Sequence, residues 1–276
     1  MIKLIGLDLD GTLFDSFKRV SNKNIIAISR AIEKGVAVAP VTGRSLLNIP
    51  EKFTAIEGVN YAVTTNGSSV YRLEDGACLY RNWLAADKAL EILKALEGFV
   101  APACCFIEGH SFMDSKWRAG IYDNGWDKPT ADYFYNQMEF VNNIEKYIED
   151  NADSVEKITV NLPFENGKKR CGEQIYGKLT ELGGLSIVSG NPYNFEITKE
   201  GVNKGSGLLA LGEALGISLS EIMGVGDDGN DYMMIKSAGL GVAMENAVQP
   251  IKDIADFITL SNDNDGVAYA IEKFVL

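Results

Sequence analysis

Residues 224–231 read GVGDDGND. The string sets two kinds of chemistry against each other. Gly224, Gly226 and Gly229 have the G-x-G-x-x-G spacing of a turn that brings backbone amides to a pyrophosphate. Asp227, Asp228 and Asp231 would repel that pyrophosphate and instead suit a hard cation with oxygen ligands, Mg²⁺ above all. Glu245 lies about where a ribose-binding acid would stand, but an isolated glycine pattern is weak evidence for a nucleotide. A nicotinamide-dependent oxidoreductase is one reading of the string, and a metal loop is the other.

The segment DLDGTLFD (8–15) bears on the choice. Asp8 and Asp10 are two apart at the end of an apolar run. On a strand they face one side while Leu7 and Leu9 face the other. Two carboxylates at a strand end are costly unless they meet a cation or water; the plainer reading is a cap and an Asp10-Gly11 turn. Asp227 also ends an apolar run, EIMGVG, so two strand ends can converge on one ion. Thr42 closes the run VAVAPVT, and its hydroxyl with the amide of Gly43 can bind an anion or cap a helix. Lys204, in EGVNKGSG, begins an apolar helical pattern but matches no P-loop. A lysine there opposes the helix dipole, so it is a surface residue or it has an anionic neighbour.

Other features carry less. SNDNDGVAYAIE (261–272) matches a calcium loop at Asp263, Asp265, Gly266 and Glu272, but Ser261 replaces the required first aspartate. It reads as a turn entering a helix. The single histidine, His110, excludes histidine-rich zinc sites and has no serine nucleophile motif beside it, so it reads as a surface or packing residue. Cys78, Cys104, Cys105 and Cys171 show no metal or redox spacing and read as buried reduced thiols. The net charge of −12, with no basic run, argues against nucleic acid. No stretch is apolar for the ~20 residues that a membrane span needs, and no signal peptide is evident, so a cytoplasmic protein, monomer or homodimer, is expected.

The elements that must position these residues alternate. Strand patterns at 2–9, 36–42 and 61–65, a helix from Ser21 to Gly35 with Ile25, Ile28 and Ile32 on one face, and a hairpin around Asp75-Gly76 fill the first eighty residues. After residue 189 follow strands at 195–198 (FEIT), 221–226, 240–244 and 257–259. Between and after them lie helices at 204–215, where Leu208, Leu211 and Leu215 share a face, and at 230–237, 248–254 and 267–274. This order predicts an α/β fold: a doubly wound, Rossmann-like parallel sheet. Residues 83–188 differ in texture, with strand patterns PACCFIE, KITVNLP and LSIVSG and helices at 86–96 and 172–182. They read as an α/β cap inserted between core segments 1–82 and 189–276.

DLDGT, VTGRS, TTNGSSVY, GVNKG and GDDGNDYMM, in this order, resemble the haloacid dehalogenase superfamily of phosphohydrolases, closest to its Cof-like branch (subfamily IIB). The resemblance implies a Mg²⁺-dependent phosphatase of small phosphorylated metabolites such as sugar phosphates. It implies that Asp8 is the nucleophile, forming an aspartyl-phosphate, and Asp10 the acid and base. The metal would be held by the Asp8 side chain, the Asp10 carbonyl and Asp227, with Asp231 and Asn230 behind them. Thr42, Gly43 and Lys204 would hold the phosphoryl oxygens. A carboxylate neighbour and partial burial are expected to raise the pKa of Asp10. No role falls to Asp228. Trp117, Arg118, Tyr122, Trp126 and Lys128 are candidate cap contacts to the leaving group, or part of the cap's own core. A phosphosugar mutase and a non-catalytic phosphometabolite sensor remain as alternatives.

Overall fold

The computed structural model describes residues 1–190 and 192–276. They form two compact units, Met1–Arg81 with Val202–Leu276, and Asn82–Gly201.

The first unit is built on a five-stranded parallel sheet in the order Phe257–Ile258, Leu240–Ala243, Ile222–Gly226, Leu4–Leu7, Ala37–Pro40. The Leu4–Leu7 and Ile222–Gly226 strands are buried along their whole length, which is why they read as unbroken apolar runs rather than alternating ones. Alternation survives in what each side meets. Ile5 and Leu7 join a cluster with Ile28, Val38, Met223, Val225 and Ile271, and Leu4 joins one with Ala39, Val63, Leu208 and Leu211 on the other face. Helix Asn22–Glu33 covers the first face. Ser21 caps it by accepting from the Asn24 N–H, Ile28 is buried, Ile25 and Ile32 pack beside it, and Gly35 follows at φ +81. Helix Lys204–Ala214 covers the second face with Leu208 and Leu211, Leu215 packing at its end.

Tyr61–Thr64, expected as a strand, pairs antiparallel with Ser69–Arg72, which pairs in turn with Cys78–Arg81 across the predicted hairpin. A single parallel bridge, Val41 to Val63, links this small sheet to the end of the Ala37–Pro40 strand.

The second unit holds a six-stranded sheet in the order Leu185–Val188, Asn194–Lys199, Lys157–Asn161, Ala103–Ile107, His110–Asp114, Glu139–Val141, antiparallel except for its last pair. Its strand at Asn194–Lys199 corrects one expectation. FEIT does not return to the parallel sheet; it pairs on both sides within this unit, and the core resumes at Val202 rather than at 189. Phe195 and Ile197 point inward at a period of two, a pattern that identifies a half-buried strand but not the sheet it joins.

Cys105 and Cys104 face opposite sides of the sheet, in separate apolar clusters, and burial pushes both thiols up, Cys105 to about 12. Cys78 and Cys171 are exposed, against the expectation of burial. Trp126 packs among Cys104, Met113 and Phe134 with its indole N–H on the Leu162 carbonyl, 2.8 Å away, so it belongs to the core of this unit. Arg118 lies over the Tyr135 and Phe140 rings, and Tyr122 is exposed with its hydroxyl on Asp132. His110 pairs with Glu139 and stacks on Phe112. Among the described residues no helix is long and apolar enough to cross a membrane.

Helix Lys204–Ala214 lies unusually close to the 65–67 turn. A Cβ on Gly207 would stand 2.5 Å from the Gly67 Cα. Gly207→Ala therefore overpacks this contact and should lower the unfolding free energy by about 1–3 kcal/mol in urea melts; unchanged stability would show that the two segments separate freely.

Candidate active site

The parallel sheet brings Asp8, Thr42 and Asp227 to one end. Asp8 and Asp227 follow directly on their strands, and Thr42 follows Ala37–Pro40 with Val41 between; all three strands run toward that end, since Leu7 pairs with Pro40 and with Val225. The Asp8 N–H donates to the Val225 carbonyl at 3.0 Å, continuing the strand pairing to the functional residue itself. Three strands thus fix the first three site residues before any side-chain contact is made.

Lys204 joins them from the start of its helix. Its side chain is 1% exposed, and its Nζ donates to Asp8 Oδ1 at 2.6 Å and to Asp231 Oδ1 at 2.6 Å. It is a buried cation, not a surface lysine. Asp231, fully buried, accepts the Asp227 and Asp228 N–H groups on its other oxygen at 2.9 and 3.1 Å. It thereby orders the loop that carries Asp227. Gly226 makes this possible: a Cβ there would stand 2.5 Å from the Asp231 Cγ. Asp227 accepts the Thr12 hydroxyl at 2.7 Å. Gly11, at φ +85, lets the two loops meet, because a Cβ on it would lie 2.3 Å from Asp227 Oδ2.

Thr42 is buried, and its hydroxyl oxygen accepts the Arg44 N–H at 3.2 Å across Gly43. Its hydroxyl proton stays available for an anion. Asn230 lies half-buried in the single turn Gly229–Asp231, and Asp228 caps that turn by accepting the Gly229 N–H. The 261–272 segment is a turn followed by helix Gly266–Phe274, as its sequence suggested.

Asp10 departs from expectation. Its carboxylate lies apart from the other three, 2.7 Å from Lys18 Nζ and 2.8 Å from Arg44 Nη2. Burial alone would raise its pKa, but the Arg44 and Lys18 charges and hydrogen bonds outweigh that, and the carboxyl is held below the usual range. Thr12, Lys18 and Arg44 were not singled out from the sequence. Thr12 and Arg44 stand inside the quoted strings DLDGT and VTGRS; nothing around Lys18 signals its contact.

The remaining electrostatics point to a cation. Burial pushes Asp8 well above the ordinary carboxylate range; Lys204 opposes the shift, and Asp231 and Asp227 add to it. Burial takes Asp227 up to about 7, opposed by the Thr12 hydrogen bond and helped by Asp231. Burial alone would lower the Lys204 pKa, but Asp231 and Asp8 overcome it and raise the value. Three carboxylates thus cluster beside one ammonium that bonds two of them, Asp8 and Asp231. Ligand oxygens of Asp8, Asp227 and Asp231 lie within 4.8 Å of one another. Asp231 has both oxygens engaged, whereas Asp8 Oδ2 and Asp227 Oδ2 have no hydrogen-bond partner among the described residues. An all-oxygen set with excess negative charge and an open Asp227 oxygen close to Asp8 fits Mg²⁺.

Comparisons with known proteins give the family. A family model described as haloacid dehalogenase-like hydrolase matches residues 5–271. The 5-amino-6-(5-phospho-D-ribitylamino)uracil phosphatase YcsE of Bacillus subtilis (strain 168) is 30% identical, covering 100% of this chain and 96% of its own length. Phosphatase YwpJ of the same organism is also 30% identical, covering 99% of this chain and all of its own. A solved haloacid dehalogenase-like hydrolase from B. subtilis superposes with a TM-score of 0.84 at 29% identity, covering 99% of this chain and 100% of that one.

Asp227 gives a pH test. Its folded-state pKa is raised to about 7, while an unfolded aspartate titrates near ~3.9. The folded chain therefore holds that proton more tightly, and the stability this contributes is lost as pH rises from the unfolded value through 7. A divalent cation replaces the lost positive charge. The gain in Tm on adding Mg²⁺ should accordingly be larger at pH 8 than at pH 5; equal gains would remove Asp227 from the cation site.

Proposed function

The chain belongs to the haloacid dehalogenase-like hydrolases, in their Cof-like branch, and is a phosphatase; from that premise we propose that it hydrolyses a small phosphomonoester with Mg²⁺, through an aspartyl-phosphate on Asp8. One observation carries the proposal: Asp8 is fixed by Lys204 through one oxygen and keeps the other open beside Asp227.

Asp8, Asp227 and the loop at Asp10 would hold the ion. When bound, it offsets the repulsion between a carboxylate nucleophile and an anionic phosphate. The open Asp8 oxygen attacks phosphorus, and the ester bond breaks toward the leaving oxygen, which takes a proton from Asp10. Water then attacks the same phosphorus, Asp10 accepts its proton, and phosphate departs from a restored Asp8 carboxylate. The base role uses Asp10 in the ionised form that Arg44 and Lys18 favour. The acid role requires that pairing to loosen so that the carboxyl takes up a proton. Thr42 donates its hydroxyl proton and Gly43 its amide to the phosphoryl oxygens, while Lys204 adds positive charge. Asp231 and Asn230 support the loop behind them.

For the substrate we favour a phosphate on a sugar or a sugar-like polyol. The relative named for a phosphoribitylamino uracil supports this class.

Phosphate release from a panel of sugar, polyol and aryl phosphates, with Mg²⁺ and with EDTA, tests the proposal. Chelation should abolish turnover, and Asp8→Asn should reduce it by about 10³-fold or more. Turnover that survives Asp8→Asn would defeat the mechanism. Formation of an isomeric sugar phosphate without release would replace hydrolysis by a mutase reaction. Tight ligand binding with no turnover would make the chain a sensor.

A further inference from the structure

The segment that resembles a calcium loop takes part in the site indirectly. Asp263 grips Ser16, accepting its N–H at 2.8 Å and its hydroxyl at 2.7 Å. Asn262 donates its amide to the Phe14 carbonyl at 3.0 Å. Asn246 accepts the Asn262 N–H at 2.9 Å and donates to the Gly11 carbonyl at 2.8 Å. Three polar side chains from the end of the chain thus hold Gly11, Phe14 and Ser16, which lie on the loop leading out from Asp10.

That loop ends in a tight turn. The Asp15 carboxylate accepts the Phe17 and Arg19 N–H groups at 2.9 and 2.8 Å, and the Asp15 N–H donates to the Arg19 carbonyl at 2.9 Å. Lys18 sits in the left-handed region at φ +58 within it, and its carbonyl accepts from Lys52 Nζ. From there Lys18 reaches back to Asp10. The Lys18 end of the pair is 66% exposed, whereas the Asp10 side chain is 41% exposed and is also held by Arg44. An exposed ion pair between flexible side chains holds little by itself. Its geometry must come from the backbone that carries Lys18, and that backbone is tied down by Asp263 and its neighbours.

We propose that Asn246, Asn262 and Asp263 form a latch whose function is to position Asp10: by fixing the loop at Gly11, Phe14 and Ser16 they set the backbone from which the Asp10 carboxylate reaches the leaving oxygen, and also the turn from which Lys18 meets that carboxylate in its ionised form. The three are positioning residues and touch no reacting atom. The proposal rests on the reading of Asp10 as the acid that serves the leaving oxygen.

The test reads leaving-group dependence. Departure of 4-nitrophenolate needs no proton, whereas departure of 4-methylphenolate gains from one, so the ratio of kcat/KM for the two aryl phosphates reports how well the acid is placed. Asp10→Asn is the reference and should steepen the dependence by about 100-fold. Asp263→Ala should lower kcat/KM for 4-methylphenyl phosphate about tenfold or more, a fraction of the full acid contribution, and that for 4-nitrophenyl phosphate by less than about threefold. Asp263→Asn keeps a carbonyl oxygen for the Ser16 N–H and should restore most of the loss. Ser16→Ala, at an exposed position, removes only the hydroxyl contact and should shift the ratio in the same direction even where Asp263→Ala folds poorly. Equal losses on both substrates, or no change in any latch variant while Asp10→Asn steepens the dependence, would overturn the latch. A flat dependence in Asp10→Asn would instead overturn the reading of Asp10.

Discussion

The site depends on one buried ammonium. Lys204 ties together residues 8, 204 and 231, from three separate stretches of chain, and does so almost out of contact with water. Burying a charge is costly unless it is paired and hydrogen-bonded, and the start of a helix is an unfavourable place for a cation. Asp8 and Asp231 meet both costs. The helix is held in place by other means: Asn203 and Ser206 cap it reciprocally, and Gly205 and Gly207 bring its backbone against Met233 and Gly67. With the helix fixed, the ammonium has little choice of position, and Asp8 is oriented through one oxygen with the other left open.

The loop at 224–231 owes its middle glycine, Gly226, to this arrangement. Gly226 leaves room for the Asp231 carboxylate, which grips the Asp227 and Asp228 amides, while Gly224 packs against Met234 and a Cβ on Gly229 would meet nothing. The amides that a dinucleotide turn would offer to a pyrophosphate are taken by a carboxylate of the same chain. The spacing resembles a nucleotide fingerprint, but its middle glycine makes room for an acidic residue under its own turn.

Much of this was legible in the sequence because it follows from strand ends. Asp8, Thr42 and Asp227 each close an apolar run, and a parallel sheet places such residues at one edge by construction. Lys204 was marked by its conflict with the helix dipole. The ion pairs of Asp10 were not legible, since Lys18 reaches it from a turn with a left-handed residue, and no spacing rule encodes that approach. The FEIT strand shows the same limit at the level of the fold. Its alternation fixes which side is buried, whereas its partners, Leu185–Val188 and Lys157–Asn161, are fixed only by the tertiary structure. Trp126 could have been a ligand contact by composition, and packing made it core.

In the proposed reaction the phosphoryl group passes through the Asp8 carboxylate. Rapid quenching during turnover, followed by borohydride reduction and peptide mass spectrometry, reads this directly, because an aspartyl-phosphate is reduced to homoserine at the residue that carried it. Homoserine is expected at position 8 and at no other carboxylate. Reduction at another residue, or full turnover with no reducible intermediate at any time, would contradict it.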